Sequence, residues 1–229
     1  MKMCLNGIFD SAIENDLCIK NPARNIKATS NLVSDEKQTY TQAETDEITR
    51  LCSGHRHGIY VWILLELGLR CGELCGLRWS DFDFDEMTVS IQRAVKVENK
   101  KVVIGKVKNK TSNRVLPMST ELCELLKKRC AKIKCGSEFL LKSRLSADGL
   151  PISPDRFTSW KYKSFFEDMN IERQLNPHEC RHTCGTLLYE RTHDIFAVSK
   201  FLGHANIKIT SKLYVHESPG MLRTALKIK

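Results

Sequence analysis

The chain has 229 residues, 41% hydrophobic and 28% charged, which is enough apolar material for a core and too much for a disordered or low-complexity chain. Lys and Arg outnumber Asp and Glu by 36 to 27, and the net charge of +9 points to a polyanionic partner, nucleic acid foremost. No run approaches ~18 unbroken apolar residues, and the start, Met1-Lys2-Met3-Cys4-Leu5-Asn6-Gly7, has no apolar leader, so neither a membrane span nor a secretory signal is expected.

Leu5, Ile8, Phe9, Ala12 and Ile13 fall at helical spacing and predict a helix over residues 3–20, stopped by Asn21-Pro22. A polar linker follows over 23–38. Thr41-x-x-Glu44 is a capping box and starts a helix that runs to about Cys52. His55 and His57 lie in the next turn, but without a second pair of ligands they make a poor metal site. An apolar helix spans 58–69, and the glycines around Arg70 let the chain turn, with Glu73 placed to orient the guanidinium. From Met87 the period switches to alternation. Residues 87–92, 101–107 and 114–116 read as three strands of a small antiparallel sheet, with turns at Asn99-Lys100 and over 108–113. The basic loop from Lys108 to Arg114 is either a solvated hairpin or a finger that carries a lysine into a nucleic-acid groove. Further helices are expected over 119–134, from Ser153-Pro154 to about Asn170, over 178–190 and over 194–202, the last ended by Gly203. A final helix begins near Asn206 and delivers Tyr214. Phe157, Trp160, Phe165 and Phe166 read as core, while Arg156, Lys161 and Lys163 on the same helix can meet phosphates. The ten cysteines lie mostly inside apolar helical patterns and read as reduced thiols of a cytosolic chain.

Breaking a phosphodiester without a metal needs fixed guanidiniums for the charge on the non-bridging oxygens, a nucleophile that loses a proton and an acid for the departing oxygen. The chain supplies each part: Arg70 and Arg181, Lys108, His178 and His204, and Tyr214. His178, Cys180, His182 and Cys184 do not close a zinc tetrahedron, since residues two and four apart on a helix do not all face one way. No P-loop or Gly-rich nucleotide fingerprint supports ATP use.

Three motifs carry a resemblance. Gly68-Leu69-Arg70-x-Gly72-Glu73-Leu74-x-x-Leu77-x-Trp79-x-Asp81 resembles the first arginine box of the tyrosine recombinases of phages and conjugative transposons. Lys108-x-Lys110-Thr111-Ser112-x-Arg114-x-Leu116-Pro117 resembles their hairpin lysine segment. His178-x-x-Arg181-His182-Thr183, then Leu202-Gly203-His204, then Tyr214 resembles their second box. The resemblance implies an α+β fold, a mainly helical catalytic domain with a small three-stranded antiparallel sheet, over residues 38–216. Residues 1–28 would be a remnant of the core-binding domain, 29–37 a linker, and 217–229 a tail that docks on a neighbouring protomer or frays in the isolated chain. With the core-binding domain truncated, DNA affinity would be weak.

The implied function is a site-specific recombinase or integrase for integration or excision of a mobile element. The alternatives are type IB topoisomerase-like relaxation and a DNA-binding module without strand exchange. In the implied mechanism Tyr214 attacks the scissile phosphate, forms a 3′-phosphotyrosine and frees a 5′-hydroxyl, so neither metal, ATP nor other cofactor is needed. Arg70 and Arg181 would hold the phosphate, with His204 as a third donor. Lys108 would protonate the leaving oxygen, Lys110 standing as the alternative acid. His178 would act as base or proton relay, and His182 would support the fold. Lys110, Arg114, Arg156, Lys161 and Lys163 are expected on the DNA. The implied partners are double-stranded DNA, a tetramer in synapsis that is monomeric when free, and accessory DNA-bending proteins, all in a bacterial cytoplasm.

Overall fold

The computed structural model describes residues 2–26, 38–106, 113–133, 138–143, 149–204, 207 and 210. The chain divides into two compact units, Met1–Lys37 and Gln38–Lys229.

In the first unit, α1 (Lys2–Glu14) stops well short of the expected boundary at residue 20. Asp16 adopts a left-handed φ of 56°, and the Leu17 N–H reaches back to the Ala12 carbonyl at 2.8 Å, a Schellman-type end. Asn21 does not end the helix; its side chain donates to Asp10 at 2.8 Å and folds the following turn back onto α1.

The second unit is organised around α3 (Gly58–Leu67), whose GIYVWILLEL sequence is buried on nearly every side. A helix that is apolar all round belongs in a core. It is covered by α2 (Gln42–Cys52), α5 (Thr120–Ile133) and α7 (Pro177–Thr192), which supply Ile48, Cys52, Leu122, Leu126 and Cys180. Local chemistry sets the starts of these elements. Thr41 and Glu44 form the reciprocal capping box of α2, and Asn176 with Glu179 forms that of α7, with Pro177 at the first helical position. Ser153 caps α6, which runs over 154–168 and includes a π-helical stretch, Phe157–Tyr162. Phe157, Phe165 and Phe166 are buried as expected, but Trp160 is 41% exposed. Asp194 caps α8 (Ile195–Leu202), and α4 (Cys71–Gly76) is a short helix begun by Arg70.

The molecule is mainly helical with a small antiparallel component, in accord with the expected class. The strands pair differently from expectation. β1 (Phe82–Asp83), β2 (Thr88–Ile91) and β5 (Arg114–Pro117) form one three-stranded sheet, with Val89 opposite both Phe82 and Leu116. β4 (Lys101–Lys106) is not its third strand. It pairs with β3 (Arg93–Glu98), which the sequence reading missed, in a separate hairpin. The turn Asn99-Lys100 lies where expected, both residues left-handed at φ 50° and 62°, as a two-residue hairpin turn requires.

Eight cysteines are free thiols among the described residues, whereas Cys130 departs from expectation in being disulfide-bonded. No helix among the described residues is long and apolar enough to cross a membrane.

The turn between α2 and α3 holds a pH-sensitive group. His57 is 6% exposed, and neither ring nitrogen has a hydrogen-bond partner among the described residues. Burial, then the charges of Lys161, Arg56, His55 and Arg129, pushes its pKa from 6.5 down to about 4. Between those values the unfolded chain takes up a proton that the folded chain refuses, so stability is lost as pH falls through that window. Thermal melts from neutral pH to pH 4 are expected to show a loss of about 3 kcal/mol from this site, and His57→Phe should remove it. A His57→Phe stability curve parallel to the wild-type curve would contradict this.

Candidate functional site

A helix leaves its last carbonyls without intrahelical partners. At the end of α8 three successive carbonyls each accept from a different arginine. Arg114 Nε donates to Phe201 O at 2.8 Å, Arg181 Nη2 to Leu202 O at 2.6 Å, and Arg70 Nη2 to Gly203 O at 3.3 Å. Cations gathered there also suit the negative end of the helix dipole.

The same guanidiniums converge on the Glu73 carboxylate, which is 2% exposed. Arg70 Nη1 donates to Glu73 Oε1 at 2.8 Å, while Arg114 donates through Nη1 at 3.3 Å and Nη2 at 3.0 Å. Arg181 Nη1 lies 3.9 Å from Glu73 Oε2 and donates to the Gly68 carbonyl at 2.7 Å. Burial alone would raise the Glu73 pKa. The hydrogen bond and charge of Arg114, with the backbone N–H and charge of Arg70, outweigh it and hold the carboxyl below its usual range. Among the described residues one carboxylate thus serves three guanidiniums.

Two glycines permit this closure. Gly68 ends α3 at φ 57°, and a Cβ there would lie 2.6 Å from Leu202 Cδ2. Gly203 ends α8 at φ 68°, where a Cβ would come 3.1 Å from the Arg114 Nη1. The helix ends can therefore close on the arginine cluster only without side chains at these positions.

The three arginines differ in access: the Arg70 side chain is 43% exposed, that of Arg114 6% and that of Arg181 1%. His178, one turn before Arg181 on α7, is exposed and stands edge-on to the buried His182, ring centroids 4.5 Å apart. His204 follows the α8 turn, and its Nδ1 lies 2.9 Å from Thr210 Oγ1. Burial, then the charges of Arg181, Arg70, Arg114 and His178, pushes its pKa down to about 4. At neutral pH His204 is therefore an uncharged imidazole with one N–H to donate and one nitrogen to accept. The structure brings Arg70, Arg181, His178 and His204 into one cationic cluster. Lys108, Lys110 and Tyr214 lie outside the described residues.

The expected DNA contacts divide. Arg114 departs from expectation in being buried: its guanidinium is bonded to Glu73 and Phe201. A signal for this was present in the sequence. Arg114 and Leu116 are two apart on a strand and share a face, and Leu116 is buried while Val115 between them is 62% exposed. On α6, Arg156 is exposed, Lys163 pairs with Glu167 at 3.4 Å, and Lys161 stacks on the Trp160 ring at 4.8 Å. The convergence of three arginines on the end of α8 has no local signature in the sequence.

A cavity of about 730 Å³ lies elsewhere, lined by Thr49, Trp62, Glu66, Ser119, Leu188 and Phe201 among others, and by none of Arg70, His178, Arg181 or His204. The exposed Arg70 and His178 stand above a buried ion network, a concentration of positive charge that suits a polyanion.

A family model described as the phage integrase family matches residues 35–221. A tyrosine recombinase XerC-like protein of Caldanaerobacter subterraneus is 30% identical over 97% of this chain, and the ICEBs1 integrase of Bacillus subtilis 26% over 94%. The chain spans 63% and 60% of the lengths of these relatives. Among solved structures, the Tn1549 transposon integrase in complex with transposon right-end DNA superposes with a TM-score of 0.78 at 23% identity, over 99% of this chain and 77% of that one. XerA recombinase gives 0.64 at 20% identity, over 97% and 73%.

Proposed function

The chain belongs to the phage integrase family, and from that membership we propose that it is a site-specific DNA recombinase that cuts and rejoins strands through a covalent tyrosine intermediate. The observation that carries this reading is the arginine cluster around Glu73. Three guanidiniums gather around one buried carboxylate there, beside a neutral His204. A phosphodiester carries one negative charge, and the pentacoordinate transition state gathers a second. Fixed guanidiniums favour the more highly charged transition state over the ground state, which is the condition for catalysis.

Roles follow from access and chemistry. Arg70, the exposed guanidinium, grips the non-bridging oxygens, and Arg181 reinforces the field from the buried side. His204 donates its N–H to the same phosphate. Tyr214 attacks phosphorus, and its phenolic proton passes to His178. Lys108, or Lys110 in its place, gives a proton to the departing 5′ oxygen, whose bond to phosphorus breaks as the tyrosine bond forms. The reverse sequence, with a 5′-hydroxyl from another strand, rejoins the DNA. The phosphoester bond is exchanged and never hydrolysed, so no ATP is required. Exchange between two duplexes cuts four strands, so a tetramer on paired DNA is the working assembly. Catalysis is assigned to the second unit, and a DNA substrate together with the bacterial relatives supports a bacterial cytoplasm as its location.

The test is covalent capture. A pool of duplexes nicked at one strand and randomised on both sides of the nick is incubated with the protein in EDTA and run on a denaturing gel. A protein–DNA adduct is expected, and peptide mapping should place a 3′-phosphate on Tyr214. Absence of any adduct, or its appearance only with added divalent metal, sinks the proposal.

A further inference from the structure

Arg114 is the one arginine of the cluster to which the proposed roles assign no contact with the phosphate. It lies on β5, six residues after Lys108 and four after Lys110. Its side chain is 6% exposed. Nε donates to Phe201 O at 2.8 Å on α8, and Nη1 and Nη2 donate to the two oxygens of Glu73 on α4 at 3.3 and 3.0 Å. The guanidinium thus presents a two-pronged fork to the carboxylate and a third donor to the helix end, a pattern that Lys cannot reproduce. It also lies directly under the turn that leads to His204, since a Cβ on Gly203 would come 3.1–3.3 Å from its atoms.

We propose that Arg114 is a positioning residue for strand cleavage: it aims the Glu73 carboxylate at Arg70 and braces the strand that leaves the lysine loop against the end of α8, from which the chain runs on to His204 and Tyr214. The proposal rests on the recombinase reading. Its physical content is that two segments remote in sequence, each carrying a proposed proton-transfer or nucleophilic group, share one buried cross-brace. Displacing a reacting group by about 1 Å costs on the order of 100-fold in rate.

Among the described residues, the charged groups facing Glu73 are Arg70 from its own turn, Arg114 from β5 and Arg181 from α7. The hydrogen bond and charge of Arg114 are the strongest influences that oppose burial at that carboxyl. Without them the carboxyl keeps its proton to higher pH.

The experiment uses the full chain and the nicked, randomised duplex pool, with adduct formation followed across pH and duplex binding followed across salt. Arg114→Gln is expected to slow adduct formation about 100-fold, to move the acidic limb of the pH–rate profile upward, and to leave duplex affinity and its salt slope unchanged. Arg114→Lys keeps the charge but not the fork. It is expected to hold the acidic limb near its wild-type place while still losing about 10-fold in rate. This variant decides the matter should Arg114→Gln fail to fold. A salt slope reduced by about 1 would show that Arg114 touches a phosphate and would overturn the proposal. So would a lowered melting temperature with an unmoved pH profile, or a wild-type rate in Arg114→Lys. If wild type forms no adduct, the functional reading fails and takes this proposal with it; if wild type forms one and the variants match it, only this proposal fails.

Discussion

Tyr214→Phe is expected to form no covalent adduct with the nicked duplex pool, a loss of at least about 10⁴-fold, while binding duplex DNA as wild type does. The substitution removes one hydroxyl and keeps the ring, so packing is conserved and the nucleophile is lost. The sharpest rival nucleophile in the described structure is Thr210, whose Oγ1 lies 2.9 Å from the Nδ1 of His204 in a hydroxyl–imidazole pairing that resembles an activated alcohol. Thr210 is 0% exposed, however, so a scissile phosphate cannot approach it without unfolding the segment. His204 is better read as a residue fixed by Thr210 than as its base. Burial is the larger cause of the low His204 pKa, and the cations that add to it also favour a phenolate over a phenol at a tyrosine near them. A residual adduct in Tyr214→Phe, mapped to Thr210 or any other side chain, would falsify the assignment of the nucleophile.

Local chemistry was the legible part of this chain. The caps at Thr41 and Ser153 are side chains that bond backbone N–H groups three residues on, so a few neighbouring letters suffice to place them. Arg70 with Glu73, and His178 with Arg181, are likewise pairs within one helical turn. The failures share the opposite character. β4 is marked by its β-branched KVVIGK run, but its partner is decided by which neighbour closes a two-residue turn, and Arg93–Glu98 was hidden by an RAVKVE sequence of mixed character. α1 ends where Asp16 accepts a left-handed backbone, which outweighs the proline signal six residues later. Arg114 read as a surface cation because charge suggests solvent. A buried carboxylate from α4 and a carbonyl from α8, 41 and 87 residues away in the chain, help make its burial favourable. The face that Arg114 shares with Leu116 is legible from the alternation of β5, but these distant partners have no local signature.

Arg181→Met should show how far the site and the fold are one object. The Arg181 side chain is 1% exposed, and its two terminal nitrogens hold the Gly68 and Leu202 carbonyls at 2.7 and 2.6 Å, the ends of α3 and α8. Methionine fills much of the volume but leaves both carbonyls without that donor and Glu73 short of one cation. Each buried group left unsatisfied costs about 1–3 kcal/mol, and breaking a buried charge network typically costs about 3–5 kcal/mol in all. Urea melts of Arg181→Met are therefore expected to show a loss in that range. Adduct formation, measured at a temperature where circular dichroism shows the variant folded, should fall by a further factor of about 10³. Arg70→Met provides the contrast. The Arg70 side chain is 43% exposed and its bond to Gly203 is long at 3.3 Å, so the melt should move by less than about 1 kcal/mol while adduct formation falls as steeply. If Arg181→Met melted like wild type, the buried bonds at the ends of α3 and α8 would not be holding the two helices together. If it were unstable yet active once folded, Arg181 would be a strut alone, and the transition-state charge would have to be met by Arg70 and His204.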